Sequence, residues 1–306
     1  MLNIKQNIIA TLTYFDMFDY PLTYHEIFLF LESKCEETDL KSAINYLVSH
    51  KLVFKFGSFY ALKNDHFITV RRTKGNLKAE ELIAKAKIVG RLLIKFPYVR
   101  GIGISGSLSK NYADDKSDID LFIITKKNRV WIARTGMHLL KKLAFLVKKQ
   151  HYFCMNYYVD EQQLEIVEKN IYTAIEVATL IPLQGEDAFT AFYSANSWTQ
   201  AFLPNKVMRI CSAKPLKGNT LKYAIESLFN NLIGNWIERK LMQLTVKRWN
   251  KKTLMKKLNS KGTIMSMSAS RHFAKPDPKN FQVKLIERYQ RKLSPLLAQP
   301  ELSLHS

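Results

Sequence analysis

The stretch from Tyr98 to Thr125, YVRGIGISGSLSKNYADDKSDIDLFIIT, constrains this chain more than any other. An apolar run, Val99 to Ile104, ends in Ser105-Gly106-Ser107. A polar segment follows, and Ser117-Asp118-Ile119-Asp120 then opens a second apolar run, Leu121 to Ile124. Each run is short, rich in branched residues and bounded by turn formers, which is the pattern of a buried strand. Alternation along a strand puts Asp118 and Asp120 on one face and Ile119 and Leu121 on the other. Two carboxylates side by side at the mouth of a strand repel each other, and a cation between them relieves the repulsion. All-oxygen ligation of that kind suits Mg²⁺ or Mn²⁺. Gly106 lets a backbone or a phosphate come close, and Ser107 offers a hydroxyl at a helix start, where anions are favoured. A turn with solvated acids accounts for Asp114 and Asp115. It does not account for two acids that interrupt the start of a buried strand.

Gly106-Ser107, ten residues, then Asp118-Ile119-Asp120 resembles the signature of the DNA polymerase β-like nucleotidyltransferase superfamily. That signature is a Gly-Ser pair on a strand-to-helix turn followed by a strand with two acids at alternate positions. The resemblance implies an α+β fold and a divalent metal, Mg²⁺ or Mn²⁺, with a nucleoside triphosphate as substrate. It implies attack by an acceptor hydroxyl on the α-phosphorus, with Asp118 and Asp120 as catalytic residues holding metal, and Gly106 and Ser107 on the phosphates. Lys110, one turn into the following helix, is placed to reach the triphosphate; the plainer reading is a solvated lysine. The superfamily usually carries a third carboxylate on a later strand. Here that strand reads Phe153-Cys-Met-Asn156-Tyr-Tyr-Val-Asp160, so the matching metal position is Asn156. Asp160 shares its face but lies about 13 Å further along the strand. Two functions stay open: transfer of a nucleoside monophosphate to a hydroxyl acceptor, or a weak or inactive relative that binds nucleic acid or regulates a partner.

The chain has 306 residues, enough for two or three domains with a sizeable core, and 47% of them are hydrophobic. No run of about eighteen apolar residues argues for a membrane span, and the N-terminus lacks the apolar core of a signal peptide. Cys35, Cys154 and Cys211 are far apart and form neither a zinc pattern nor a disulfide framework, which suits a reducing cytoplasm. The net charge of +21 implies attraction to nucleic acid, nucleotides or an anionic membrane surface, or serves solubility alone. It is concentrated between Lys206 and Lys292, so RNA or DNA is the expected partner of that region.

Three modules are expected. Residues 1–65 read as three helices and a hairpin and resemble a winged helix-turn-helix domain, carried by PLTYHEIFLFL, DLKSAINYLVSH and KLVFKFGSFYAL. Thr38 or Asp39 is the expected cap of its third helix. In that family this helix enters the DNA major groove. Its exposed positions here, Lys41, Asn45 and His50, are only mildly basic, so DNA and protein partners both remain open. Residues 70–165 are the expected nucleotidyltransferase core. It follows a basic connector, 66–74, and a helix from Asn76 to Phe96 whose apolar face includes Leu77, Leu82, Ile88 and Leu92. The core continues through an amphipathic helix from Val130 to Val147 to the strand at 152–159. Residues 166–306 read as a basic, mainly helical region. It includes one long helix from Leu221 to Trp249, a polar stretch at 259–270, the irregular KPDPKNF, and a last helix from Phe281 to Leu296. The aromatics of Phe189 to Phe202 read as core rather than as a base-stacking platform.

Overall fold

The computed structural model describes residues 2–146, 150–213, 219–258, 264–276 and 281–302. The chain begins with α1 (Ile4–Asp16), β1 (Leu22–Thr23), α2 (Tyr24–Phe30), α3 (Glu37–Ser49), β2 (Phe54–Phe56) and β3 (Phe59–Ala61). Asn3 with Gln6 forms a capping box at α1, and Thr23 with Glu26 forms another at α2. Each box satisfies two amide donors that a helix start leaves open. The third helix starts one residue before the expected caps, and no side chain caps it. The three strands pair antiparallel in the order β1-β3-β2, and the helices close over Leu22, Ile27, Leu40 and Leu47.

The expected basic connector at 66–74 is instead the start of α4 (Phe67–Leu93). Its charges do not break the helix because Arg72 is buried against the first unit. The guanidinium donates to Glu26 (2.7 Å), to the Pro21 carbonyl (2.9 Å) and to Asn76 (2.8 Å), and it lies 3.7 Å from the centre of the Tyr20 ring. Ala79, Leu82, Ala86, Val89 and Leu93, at three- and four-residue spacing, form the buried face of α4. Leu77, Ile88 and Leu92, expected on that face, are exposed because the apolar residues of this helix wrap wider than the stripe that packs.

Next come β4 (Val99–Ile104), the short α5 (Gly106–Ser109), β5 (Asp120–Thr125), α6 (Val130–Leu146) and β6 (Cys154–Asp160). They are followed by α7 (Ile171–Thr179), β7 (Ile181–Gln184) and α8 (Glu186–Ala195). Six strands form one sheet in the order β7-β4-β5-β6-β9-β8, where β8 is Met267–Ala269 and β9 is Phe273–Pro276. Only β5 and β6 run parallel; every other neighbouring pair is antiparallel. The run LFIIT is apolar throughout because both of its faces are covered. Leu121 and Ile123 face α4 and α6, while Phe122 and Ile124 face α7 and α8 with Phe189 and Phe192. Those two phenylalanines are core, as expected.

The expected single helix from Leu221 to Trp249 is broken into α9 (Thr220–Leu228) and α10 (Leu232–Leu254). Asn231 caps the second helix, accepting from the Gly234 amide at 3.0 Å. The turn is so tight that a Cβ on Gly234 would lie 1.7 Å from the Phe229 carbonyl oxygen. Residues 166–302 also contribute β7, β8 and β9 to the sheet, which the sequence does not announce. Of the polar stretch and KPDPKNF, residues 259–263 and 277–280 lie outside the described residues, as does the end of the helix expected at Val147. The last helix, α11 (Phe281–Leu297), returns to α1, where Leu285 and Tyr289 join the first core and Lys292 pairs with Asp16. The fold is mixed α+β. Among the described residues no helix is long and apolar enough to cross a membrane.

Candidate functional site

The β4–α5 turn and the starts of β5 and β6 meet at one end of the sheet. The Ser105 amide donates to the Asp120 carbonyl at 2.9 Å, so the turn is fastened to the first residue of β5. Gly106 has φ +69, which favours glycine, and a Cβ there would lie 2.8 Å from Asp120 Oδ2. Backbone conformation and neighbour therefore both exclude a side chain at 106. No side chain caps α5, and Ser107 is exposed on its first turn, facing outward where an anion could lie. These are the features expected of a phosphate cradle.

β5 starts at Asp120 rather than at Ser117, so Asp118 lies in the segment leading into the strand, half-buried beside it. Between them Ile119 is fully buried, its amide donating to the His151 carbonyl at 3.1 Å. A shift in register between Leu121 and Phe122 against β6 leaves Asn156 as the extra residue, level with the start of β5. Its amide donates to Asp120 Oδ1 at 2.5 Å, and the Cys154 thiol donates to Asn156 Oδ1 at 3.1 Å. A carboxylate only accepts, so Asn156 must offer Asp120 its nitrogen, and its oxygen is left for the thiol. Burial first, then Asp120 and more weakly Asp118, push the Cys154 thiol up to about 11. The thiol is thus a neutral donor near neutral pH. The resemblance implies Asn156 as a metal position; here its amide nitrogen is a donor that holds the Asp120 carboxylate.

A cavity of about 250 Å³ opens beside these residues. Gly106, Asp120 and Asn156 line it together with the rings of Phe122, Tyr157 and Phe192. Tyr172 and Glu176 of α7, with Lys275 of β9, form its remaining wall. Lys110 is not a solvated lysine: its ammonium donates to Glu176 at 2.7 Å and to the Gly106 carbonyl at 3.1 Å. Glu176 is the carboxylate that sequence reasoning missed. It stands 56 residues beyond Asp120 in a plain amphipathic helix, YTAIEVATL, with no local motif to mark it. The structure therefore gathers Gly106, Asp120, Asn156 and Lys110, places Asp118 at the flank, and adds Glu176. Asp160 lies at the far end of β6, fully buried. It accepts from the Asn128 amide (2.7 Å) and the Gln162 amide (3.0 Å) and pairs with His272 (2.9 Å), so it serves a turn rather than this site.

Among the described residues no three His, Cys, Asp or Glu side chains are grouped as a metal site. The oxygen donors on offer are Asp118 and Asp120. With the nearby Cys154 thiol protonated and engaged on Asn156, two carboxylates suit a cation such as Mg²⁺, which keeps most of its shell as water or phosphate oxygen. No family model, curated protein or solved structure matches this chain.

Proposed function

We propose that this protein is a metal-dependent nucleotidyltransferase with a polymerase β-like core. It binds a nucleoside triphosphate and passes the nucleoside monophosphate to a hydroxyl acceptor. The observation that carries this reading is Asp120 lining the cavity, its carboxylate against Gly106 of an uncapped turn. The strand, helix, strand, helix, strand succession from β4 to β6 supports it as the order that the resemblance implies. The α1-β1-α2-α3-β2-β3 order supports reading the first unit as a winged helix.

Asp118 and Asp120 would hold Mg²⁺ or Mn²⁺, which when bound supplies charge to offset the triphosphate and the departing pyrophosphate. The open amides of the α5 turn and Ser107 bind phosphate oxygens, and the Lys110 ammonium adds positive charge beside the turn. In the transfer the acceptor oxygen bonds to the α-phosphorus, the bond to the bridging oxygen breaks, and pyrophosphate leaves. The hydroxyl proton needs a base. Asn156 cannot take it, being a neutral amide. Glu176, on the cavity wall, can take it once Lys110 turns from Glu176 to the triphosphate.

Asn156 favours a second reading, in which the site binds nucleotide and transfers it poorly. Isothermal titration with MgATP, and label transfer from ATP to cell RNA and proteins, separate the two. Asp118→Ala and Asp120→Ala should each lose at least about tenfold in affinity. Glu176→Gln should keep binding and lose transfer. Binding of MgATP by Asp120→Ala as tightly as by the parent would remove the site assignment altogether. A parent that binds MgATP and transfers nothing would leave the second reading in place.

A further inference from the structure

A second concavity lies on the opposite face of the sheet from the cavity at Asp120. The C-terminal half of α10 and the edge at Ala269–Arg271 enclose a groove of about 660 Å³. Its floor is apolar, with Met242, Val246 and Ala269, and Asn250 offers an amide at its side. Lys247 and Lys251 stand on one wall and Arg271 on the other, all three exposed. Arg248, Lys252, Lys257 and Arg134 are close by. Burial, then Arg248, Lys257 and Arg134 in turn, hold the Lys252 ammonium below its ordinary range. None of these seven cations is in an ion pair among the described residues. The acid that α10 carries, Glu238, is turned inward to the amides of Trp131 (2.7 Å) and Ile132 (2.9 Å) and offsets nothing at the groove. Like charges that crowd one surface with no counter-charge raise its potential, and a polyanion lowers it.

We propose that this groove holds single-stranded nucleic acid, its phosphates on Lys247, Lys251 and Arg271 and its sugars and bases over the apolar floor. Lys247 and Lys251 are one helical turn apart, about 6 Å along the axis, close to the separation of neighbouring phosphates on a strand. A positive groove that tracks the backbone binds a single strand with little sequence preference, and the aliphatic floor of Met242, Val246 and Ala269 gives unstacked bases apolar surface to cover. A flat or convex basic face would suit a lipid surface equally well; two walls of positive charge around a floor favour a strand. The inference is independent of transfer at Asp120, because strand binding is measured without nucleotide.

The test is fluorescence anisotropy of the full chain with labelled oligo-uridine and oligo-thymidine of about 20 nucleotides, between about 50 and 200 mM salt. Affinity should fall steeply with salt. The triple variant K247E/K251E/R271E should bind at least about tenfold more weakly, with the salt slope reduced by about two. The variant K87E/R91E, on the exposed face of α4, should bind within about twofold of the parent. All five positions are exposed. Ultraviolet crosslinking of thiouridine-substituted RNA to the unaltered protein, followed by peptide mapping, gives a readout that needs no variant. Crosslinks should fall in α10 and β8. The inference is overturned by absent binding at low salt, by crosslinks confined to other elements, by equal loss in the two variants, or by binding to phosphatidylserine vesicles but not to either oligonucleotide.

Discussion

Asn156 sits where two demands meet. The start of β6 must present a polar side chain to Asp120, and the Cys154 thiol must find an acceptor. An amide meets both, giving with its nitrogen and receiving with its oxygen. Asn156→Asp would replace the donated bond with two carboxylates in contact and would strand the thiol's acceptor in a charged cluster. The variant should be less stable than the parent by about 1–3 kcal/mol when divalent ions are chelated. Mg²⁺ or Mn²⁺ should restore it, stabilising the variant, with its extra carboxylate, by more than the parent. Thermal unfolding with chelator and with each ion checks this, and equal stability of both proteins in chelator would show that Asn156 and Asp120 are not coupled.

At the scale of elements, Glu238 joins α10 to the start of α6. Its carboxylate accepts from the two first-turn amides of Trp131 and Ile132. Burial nevertheless pushes the carboxyl up to about 7, against the pull of those amides and of Arg129. Between the ordinary value of 4.5 and about 7 the folded chain binds this proton more tightly than the unfolded chain does. Its contribution to stability is therefore present below about 4.5 and is lost as pH rises to about 7, a decline of about 3 kcal/mol. Glu238→Gln should flatten that part of the pH dependence. Urea unfolding of both proteins at pH 5 and at pH 7.5 measures it; parallel pH profiles would contradict it. The two strands of the opening motif and the amphipathic α6 were legible in the sequence, because each depends on local pattern; the place of Asn156 beside Asp120, 36 residues away, was expected only through the family resemblance. The strands IPLQ and FAKP were not legible. Each holds a proline and is only four residues long, so only the neighbouring strand reveals it. Glu176 was illegible for a related reason: nothing in YTAIEVATL marks an acid whose partner, Lys110, is 66 residues away. The start of α4 was hidden by its charge, since the acid that neutralises Arg72 lies in α2.

At the scale of the whole molecule, Arg72 pins α4, and through it the sheet, to the first unit. Its guanidinium serves Glu26, Pro21 and Asn76 at once, with Tyr20 stacked on its face. Arg72→Met keeps much of the volume but leaves Glu26 without its cation. The loss should be about 3–5 kcal/mol. It should appear as separate unfolding of the first unit and the sheet, where the parent unfolds in one transition. Calorimetry distinguishes the two, and a single transition within about 1 kcal/mol of the parent would show that Arg72 carries no load between the units.

The Tyr20 hydroxyl donates to the Lys110 carbonyl, so the first unit holds the last residue of the turn that bears Gly106. If that contact differs between two placements of Tyr20, the two units become a reciprocal pair. A partner that grips the first unit more firmly in one placement of Tyr20 must change affinity at the turn by some factor. A ligand at the turn must then change the grip on that partner by the same factor, whichever arrives first. A molecule that never approaches Asp120 can thus act as an effector of the site, with Tyr20 as the joint through which the two affinities are traded.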